Sequence, residues 1–214
     1  MSLAAELQAV YEASHKAMPA EASEIILKST ADFKASYDPT SAIQVGKLLP
    51  AFTLPDALGQ NISSASLLTK GPLLISFYRG EWCPFCNLEL RSLQELLPQL
   101  TAKGVTLVAI SLELPDTSLE TKEKLELSFT VLSDVGNKLA REIGIVFKQP
   151  ERMGGLLKNF GVDFEKRNGD ASLEVPVPAT FLVDEKGVIR NAFVDADYTK
   201  RLEPETALKW IDEL

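Results

Sequence analysis

Both cysteines of this 214-residue chain lie in one short segment, Trp82-Cys83-Pro84-Phe85-Cys86. Before it, Leu73-Leu74-Ile75-Ser76-Phe77-Tyr78 reads as a buried strand, and after it residues 84 to 102 carry a helical pattern. At a strand-to-helix junction, unpaired backbone N–H groups and the positive end of the helix dipole stabilise a thiolate. Pro84 suits the first helical turn, where a missing N–H costs nothing. Cys83 is therefore the expected nucleophile. Cys86, one turn inward, is the expected resolving thiol, and a Cys83–Cys86 disulfide the expected product. Arg79 adds positive charge, and Glu81 opposes it. The bland alternative is a pair of small apolar residues at a helix start, since free cysteine is often buried and inert. It requires the spacing and the junction to coincide by chance.

Other chemistries fit the composition poorly. One His and two Cys cannot supply the four ligands of a structural zinc site, and nothing points to a cofactor. A Ser-His-Asp enzyme would have to use His15, which sits in an alanine-rich helical stretch. Lys plus Arg is 22 and Asp plus Glu 30, so the net charge is −8, and the pI is near 4.8. That balance argues against nucleic acid and anionic membrane as partners. The longest apolar run, of about eight residues around Leu73 to Tyr78, is too short to span a bilayer. The first residues carry neither a basic segment nor an apolar one, so a cytoplasmic protein is expected.

The elements that must position the cysteines follow from periodicity. Residues 1–44 read as a helical extension: Leu3, Leu7, Val10 and Tyr11 form one stripe, Pro19 interrupts, and Ile25, Ile26 and Phe33 continue to Asp38-Pro39-Thr40. This arm is not needed to build the rest. It could pack back on the body or form a homodimer contact. Residues 45–214 read as one α/β domain. In the helix at 84–102, Leu90, Leu93, Leu97 and Leu100 mark the buried face, and Pro98 bends or shortens it. Val105 to Ser111 reads as a strand covered on both faces. Thr117 and Glu120 suggest a capping box for a helix at 118–127. A strand at 129–132 and a helix at 136–143 follow. Residues 146–176, with Gly154-Gly155 and Asn168-Gly169, read as an insertion or long loop over one end of the sheet. Ala179–Asp184 and Val188–Phe193 around Glu185-Lys186-Gly187 form an antiparallel hairpin. A last helix opens at Pro204, with Ala207, Trp210, Ile211 and Leu214 inward. The order β-α-β-α-β-α, hairpin, helix implies a central mixed β-sheet flanked by helices.

Phe77-Tyr78-Arg79-Gly80-Glu81-Trp82-Cys83-Pro84-Phe85-Cys86 resembles the active-site segment of the thioredoxin-fold superfamily. Val45-Gly46-Lys47-Leu48-Leu49-Pro50-Ala51-Phe52-Thr53-Leu54-Pro55-Asp56, with Gly59, is similar to the opening of the alkyl hydroperoxide reductase/thiol-specific antioxidant family. Pro178-Ala179-Thr180-Phe181-Leu182-Val183-Asp184, with Gly187, is similar to its late strand pair. The resemblance covers residues 45 to 195 and is closest to a peroxiredoxin-like subgroup with C-P-x-C. It implies a thioredoxin-like fold and a proline at position 178 that is cis and faces the cysteines. Trp82 and Glu81 match the thioredoxin pattern. Other positions depart. Peroxiredoxins place Thr or Ser where Gly80 stands, Pro where Ser76 stands, and Arg where Pro178 stands. Those groups polarise the peroxide O–O bond, and their absence weighs against fast peroxide reduction. Thioredoxins carry a buried Asp on the strand before the motif, where the nearest polar residue here is Ser76.

The expected function is thus a thiol-dependent redox enzyme. Cys83 and Cys86 cycle between dithiol and disulfide, with Trp82, Arg79 and Pro178 around them. The substrate is a disulfide or a hydroperoxide, and the reductant a cellular dithiol such as thioredoxin or glutathione. A dedicated thioredoxin-dependent peroxidase is one alternative. A redox-sensing or binding module without turnover is another.

Overall fold

The computed structural model describes residues 2–214. In chain order the elements are α1 (Leu3–Ala17), α2 (Ala20–Ser36), a 3-10 turn (Pro39–Ser41), β1 (Thr53–Pro55), β2 (Asn61–Ser63), α3 (Ser64–Leu68), β3 (Leu73–Phe77) and α4 (Pro84–Ala102). Then come β4 (Thr106–Ser111), α5 (Pro115–Lys124), β5 (Thr130–Ser133), α6 (Lys138–Glu142), β6 (Val146–Lys148), α7 (Glu151–Asn159) and α8 (Phe164–Asn168). The chain closes with β7 (Glu174–Pro176), β8 (Ala179–Val183), β9 (Ile189–Val194) and α9 (Pro204–Asp212).

Five strands form the central sheet in the order β5-β4-β3-β8-β9. β3, β4 and β5 run parallel, while β8 is antiparallel to both β3 and β9. Strand alternation splits the core in two. Leu74 and Tyr78 face a layer built from α1, α4 and α9. Leu73, Ile75 and Phe77 face the opposite layer, with Phe181, Leu139 and Ile143. Ser76 belongs by parity to the α4 side, and that decides what it can touch.

The N-terminal arm packs back on the body. Leu3 and Leu7 are buried in the same cluster as Leu90, Leu93 and Leu100 of α4. The Glu203 carboxylate accepts from the backbone N–H groups of Leu3 and Ala4, at 3.1 and 2.7 Å, and so caps the start of α1. Phe33 of α2 stacks on Phe147 at 4.2 Å between ring centroids. His15 Nδ1 and Ser23 Oγ lie 2.6 Å apart and tie the two helices together. Among the described residues, no helix is long and apolar enough to cross a membrane.

Several expectations need correction. Residues 146–176 are not one long loop: they hold α7 and α8, bracketed by the antiparallel pair β6–β7. Gly154 lies inside α7 with the Leu173 side chain packed over it, 2.6 Å from where a Cβ would stand. The helix expected at 118–127 starts earlier, at Pro115, and Thr117 does not cap it. Its hydroxyl donates instead to the Arg167 carbonyl at 3.3 Å. α4 continues through Pro98 to Ala102 rather than shortening there. Leu214, expected inward, is exposed. No peptide bond is cis among the described residues, so Pro178 enters through a trans bond. The chain runs extended from β7 into β8, with Val177 N–H donating to the Ile145 carbonyl at 2.6 Å. Extended chain accepts the trans form, which is the lower by about 0.5–1 kcal/mol for X–Pro.

Candidate active site

The site begins where β3 stops. Tyr78 N–H still donates to the Ile110 carbonyl at 3.0 Å, which extends the β3–β4 ladder by one residue. Gly80 then takes φ +140°, a conformation side chains other than glycine rarely adopt. A Cβ there would lie 2.4 Å from Trp82 Nε1 and 2.8 Å from Glu113 Oε1. The chain turns tightly, and Cys83 N–H closes the turn on the Gly80 carbonyl at 3.1 Å. Cys83 is the N-cap of α4, Pro84 its first residue, and Cys86 lies one turn in, as the spacing predicts.

Both cysteines are free and fully buried. Their surroundings are nonetheless not simply apolar, because each sulfur accepts from its own guanidinium. Arg79 Nη2 donates to Cys83 Sγ at 3.2 Å, and Arg201 Nη2 to Cys86 Sγ at 3.2 Å. The two thiols are neighbours, and each shifts the other's ionisation. Burial alone would push the Cys83 thiol up. The neighbouring Cys86 thiol and the charges of Arg79 and Arg201 outweigh it and hold Cys83 well below its ordinary value. Cys86 is pushed well up, by burial first, then by the neighbouring Cys83 thiol and its charge. Of the pair, Cys83 is the one that gives up its proton first.

Arg79 is held in place by two rings. Its Cζ lies 4.1 Å from the Tyr198 ring centroid and 4.9 Å from that of Trp82. Trp82 in turn meets Phe164 of α8 edge-on at 5.5 Å. Two cavities of about 180 Å³ adjoin this sandwich, and Arg79, Gln149, Met153 and Tyr198 line both. One also reaches Trp82, Pro84 and Phe85; the other reaches Pro178. Pro178 therefore lines the same cavity as Arg79.

Glu81 does not oppose Arg79 as its sequence position suggests. Its carboxylate is paired with Lys124 and, at 3.1 Å, with Arg167. Arg167 Nε also donates to Glu113 Oε1 at 3.0 Å. Glu113 accepts the Glu81 backbone N–H at 3.1 Å through Oε2, so this cluster fixes the turn leading to Cys83. Burial pushes the Glu113 carboxyl up to about 7, against the pull of Arg167.

Three site residues escaped sequence reasoning: Arg201, Glu89 and Tyr198. Arg201 Nε donates to Glu89 Oε2, and Ser76 Oγ donates to Glu89 Oε1 at 3.3 Å. Glu89 stands three residues after Cys86, on the same face of α4. That spacing was a usable signal for Glu89. Arg201 lies 115 residues beyond Cys86, in an irregular stretch, and carries no such signal.

The profile described as the AhpC/TSA family matches residues 45–192. The chain belongs to the AhpC/TSA family. It is 27% identical over 181 residues to a chloroplastic peroxiredoxin Q of Suaeda salsa, covering 85% of this chain and 69% of that protein. It is 25% identical over 172 residues to the thiol-disulfide oxidoreductase ResA of Bacillus cereus, covering 80% and 82%. The peroxidoxin BcpB structure from Mycobacterium tuberculosis superposes with a TM-score of 0.63 at 19% identity, over 80% of this chain and 98% of that one. That likeness establishes a thioredoxin-type fold. This member of the AhpC/TSA family is a thiol-dependent oxidoreductase. Its relatives include both named peroxiredoxins and a named thiol-disulfide oxidoreductase, the same two chemistries its residues suggest.

Proposed function

We propose that Cys83 attacks a small hydroperoxide or a low-molecular-weight disulfide, and that Cys86 resolves the product. The observation that carries this reading is the buried Cys83 sulfur at the start of α4, with Arg79 Nη2 donating to it at 3.2 Å and Cys86 one turn further along. With a hydroperoxide, the thiolate takes the terminal oxygen and the O–O bond breaks. A proton converts the departing alkoxide to an alcohol, leaving a sulfenic acid on Cys83. The Cys86 thiol then forms the Cys83–Cys86 disulfide and releases water. With a disulfide, the same thiolate displaces one thiol, and Cys86 displaces the other. A dithiol of the thioredoxin type returns both sulfurs to the reduced state. A reducing cytoplasm would supply it.

The preference for a small substrate rests on burial. Both sulfurs are closed to solvent, and the adjoining cavities hold about 180 Å³ each. Spaces of that size beside Arg79 suit a peroxide or a small disulfide better than a folded protein's disulfide. A specific observation favours the disulfide as the second reading. Gly80 and Pro178 stand where peroxiredoxins carry a hydroxyl and an arginine, so neither of those groups is there to polarise an O–O bond. The test is a parallel assay of hydroperoxide consumption, glutathione-disulfide reduction and insulin reduction, with Cys83→Ser as the blank. Turnover of either small substrate above the blank is expected, with insulin slowest. Hydroperoxide and glutathione disulfide consumed no faster than by Cys83→Ser would sink the reading.

A further inference from the structure

Arg201 enters the α4 layer from the segment before α9, and its side chain is 1% exposed. Every guanidinium nitrogen has a partner. Nε donates to Glu89 Oε2, Nη1 to the carbonyls of Tyr198 and Lys200 at 2.5 and 2.7 Å, and Nη2 to Cys86 Sγ. Two backbone carbonyls and a buried carboxylate thus fix the fork, and Nη2 is left to donate to the second sulfur. An arginine held only as a structural ion pair with Glu89 does not need a sulfur in its fork. From this geometry we infer that Arg201 is the residue that activates Cys86 for the resolving step, and that Glu89 is the residue that positions Arg201. The inference rests on the Cys83/Cys86 reading above and adds how the second half of the reaction is timed.

The timing follows from what faces Cys86. Those groups are Cys83 and Arg79 from the turn, Arg201 from the segment before α9, Glu89 through Arg201, and Tyr78 from β3. In the reduced protein two cations, Arg79 and Arg201, face two acidic groups: Cys83, held low, and Glu89, which burial pushes up against the pull of Arg201. Besides burial, the neighbouring Cys83 thiol and the negative charge it takes on keep Cys86 protonated. Once Cys83 is in a mixed disulfide, both of those influences are gone and both guanidiniums remain. The two buried guanidiniums are then less well compensated, and loss of the Cys86 proton offsets the difference. The step balances. The Cys86 sulfur bonds to Cys83, the bond from Cys83 to the substrate sulfur breaks, and the proton from Cys86 ends on the departing thiol. Cys86 is thereby inert until Cys83 has reacted, which keeps the second thiol from competing for substrate.

The experiment is an acid-quenched time course with glutathione disulfide, followed by mass spectrometry of the intact chain. Two rates are read: loss of free dithiol to the Cys83–glutathione adduct, and loss of that adduct to the internal disulfide. Wild-type protein, Arg201→Gln, Arg201→Lys and Glu89→Gln are compared from pH 6 to 9. In Arg201→Gln the adduct is expected to persist, with resolution about tenfold slower or more at pH 7 and recovering as pH rises, since each unit of thiol pKa changes the thiolate fraction tenfold. Arg201→Lys, which keeps the charge, is expected to resolve faster than Arg201→Gln. Glu89→Gln is expected to fall between wild type and Arg201→Gln. The idea is overturned if Arg201→Gln resolves at the wild-type rate, or if Arg201→Lys is as slow as Arg201→Gln. A uniform loss of both phases in all three variants, with no pH recovery, also overturns it, because a purely structural arginine behaves that way. Wild-type protein that loses no free dithiol, to adduct or to internal disulfide, with either glutathione disulfide or a hydroperoxide would instead refute the Cys83 reading itself.

Discussion

On one side of the turn from Gly80 to Cys83, Arg167 lies between two carboxylates, Glu81 and Glu113. On the other side, Arg201 lies between a carboxylate and a thiol, Glu89 and Cys86. Both arginines reach their acids from segments far along the chain. The first cluster holds backbone: Glu113 accepts the Glu81 N–H, and Arg167 binds both acids. The second holds sulfur, whose charge changes when bonds form. Similar ion pairing therefore serves rigidity in one place and reactivity in the other. What separates them is whether the third partner is a group that the reaction consumes.

The sharpest way to break this contrast is at Gly80, which both regions share. Gly80→Ala is expected to destabilise the fold by about 2–5 kcal/mol, combining a strained φ with overpacking. The added Cβ would meet Trp82 Nε1 at 2.4 Å and Glu113 Oε1 at 2.8 Å. Urea denaturation measures it, and a midpoint within error of wild type would show that the turn relaxes freely.

Next in size is Arg79→Met. Without the guanidinium, burial is expected to raise the Cys83 thiol, so its alkylation at pH 6 should slow about tenfold or more. An unchanged rate in peptide-mapped iodoacetamide labelling would mean that Cys86 and Arg201 suffice. Glu113→Gln addresses the other cluster. The Glu113 carboxyl titrates at about 7 when folded against the usual 4.5. Its folded value is the higher, so the folded chain holds more protons than the unfolded one in between, and stability falls as pH rises through that window. The wild type should lose up to about 3 kcal/mol more than Glu113→Gln between pH 5 and 7.5. Parallel curves for the two proteins would refute the assignment. Smallest is Ser76→Ala, which removes one donor to Glu89 and should cost about 1 kcal/mol. Equilibrium unfolding would detect it, and a loss above about 3 kcal/mol would make Ser76 a principal support rather than a secondary one.

What could be seen in the sequence was local. Pro84 and the leucine spacing placed α4 at its observed bounds, and Glu185-Lys186-Gly187 between two apolar runs gave the β8–β9 hairpin. Both depend on residues adjacent in the chain. The 146–176 segment misled because Gly154-Gly155 reads as a break, whereas Gly154 lies inside α7 with Leu173 packed over it. Thr117 misled because its hydroxyl finds the Arg167 carbonyl, 50 residues away. In the site, the thiol pair and Arg79 were legible from the motif. Glu89 was missed although its spacing from Cys86 pointed to it, and Arg201 was not legible, because a charge in an irregular segment acquires meaning only when the fold joins it to the site.

The Arg79 sandwich also makes the molecule its own optical instrument. The chain has two tryptophans, and one of them, Trp82, lies against the cation that holds the reacting sulfur. Indole emission responds to nearby charge, so each change of state at that sulfur should register as a change in intrinsic fluorescence. The catalytic cycle can then be followed in real time without a label, with Trp82→Phe as the control that silences the signal.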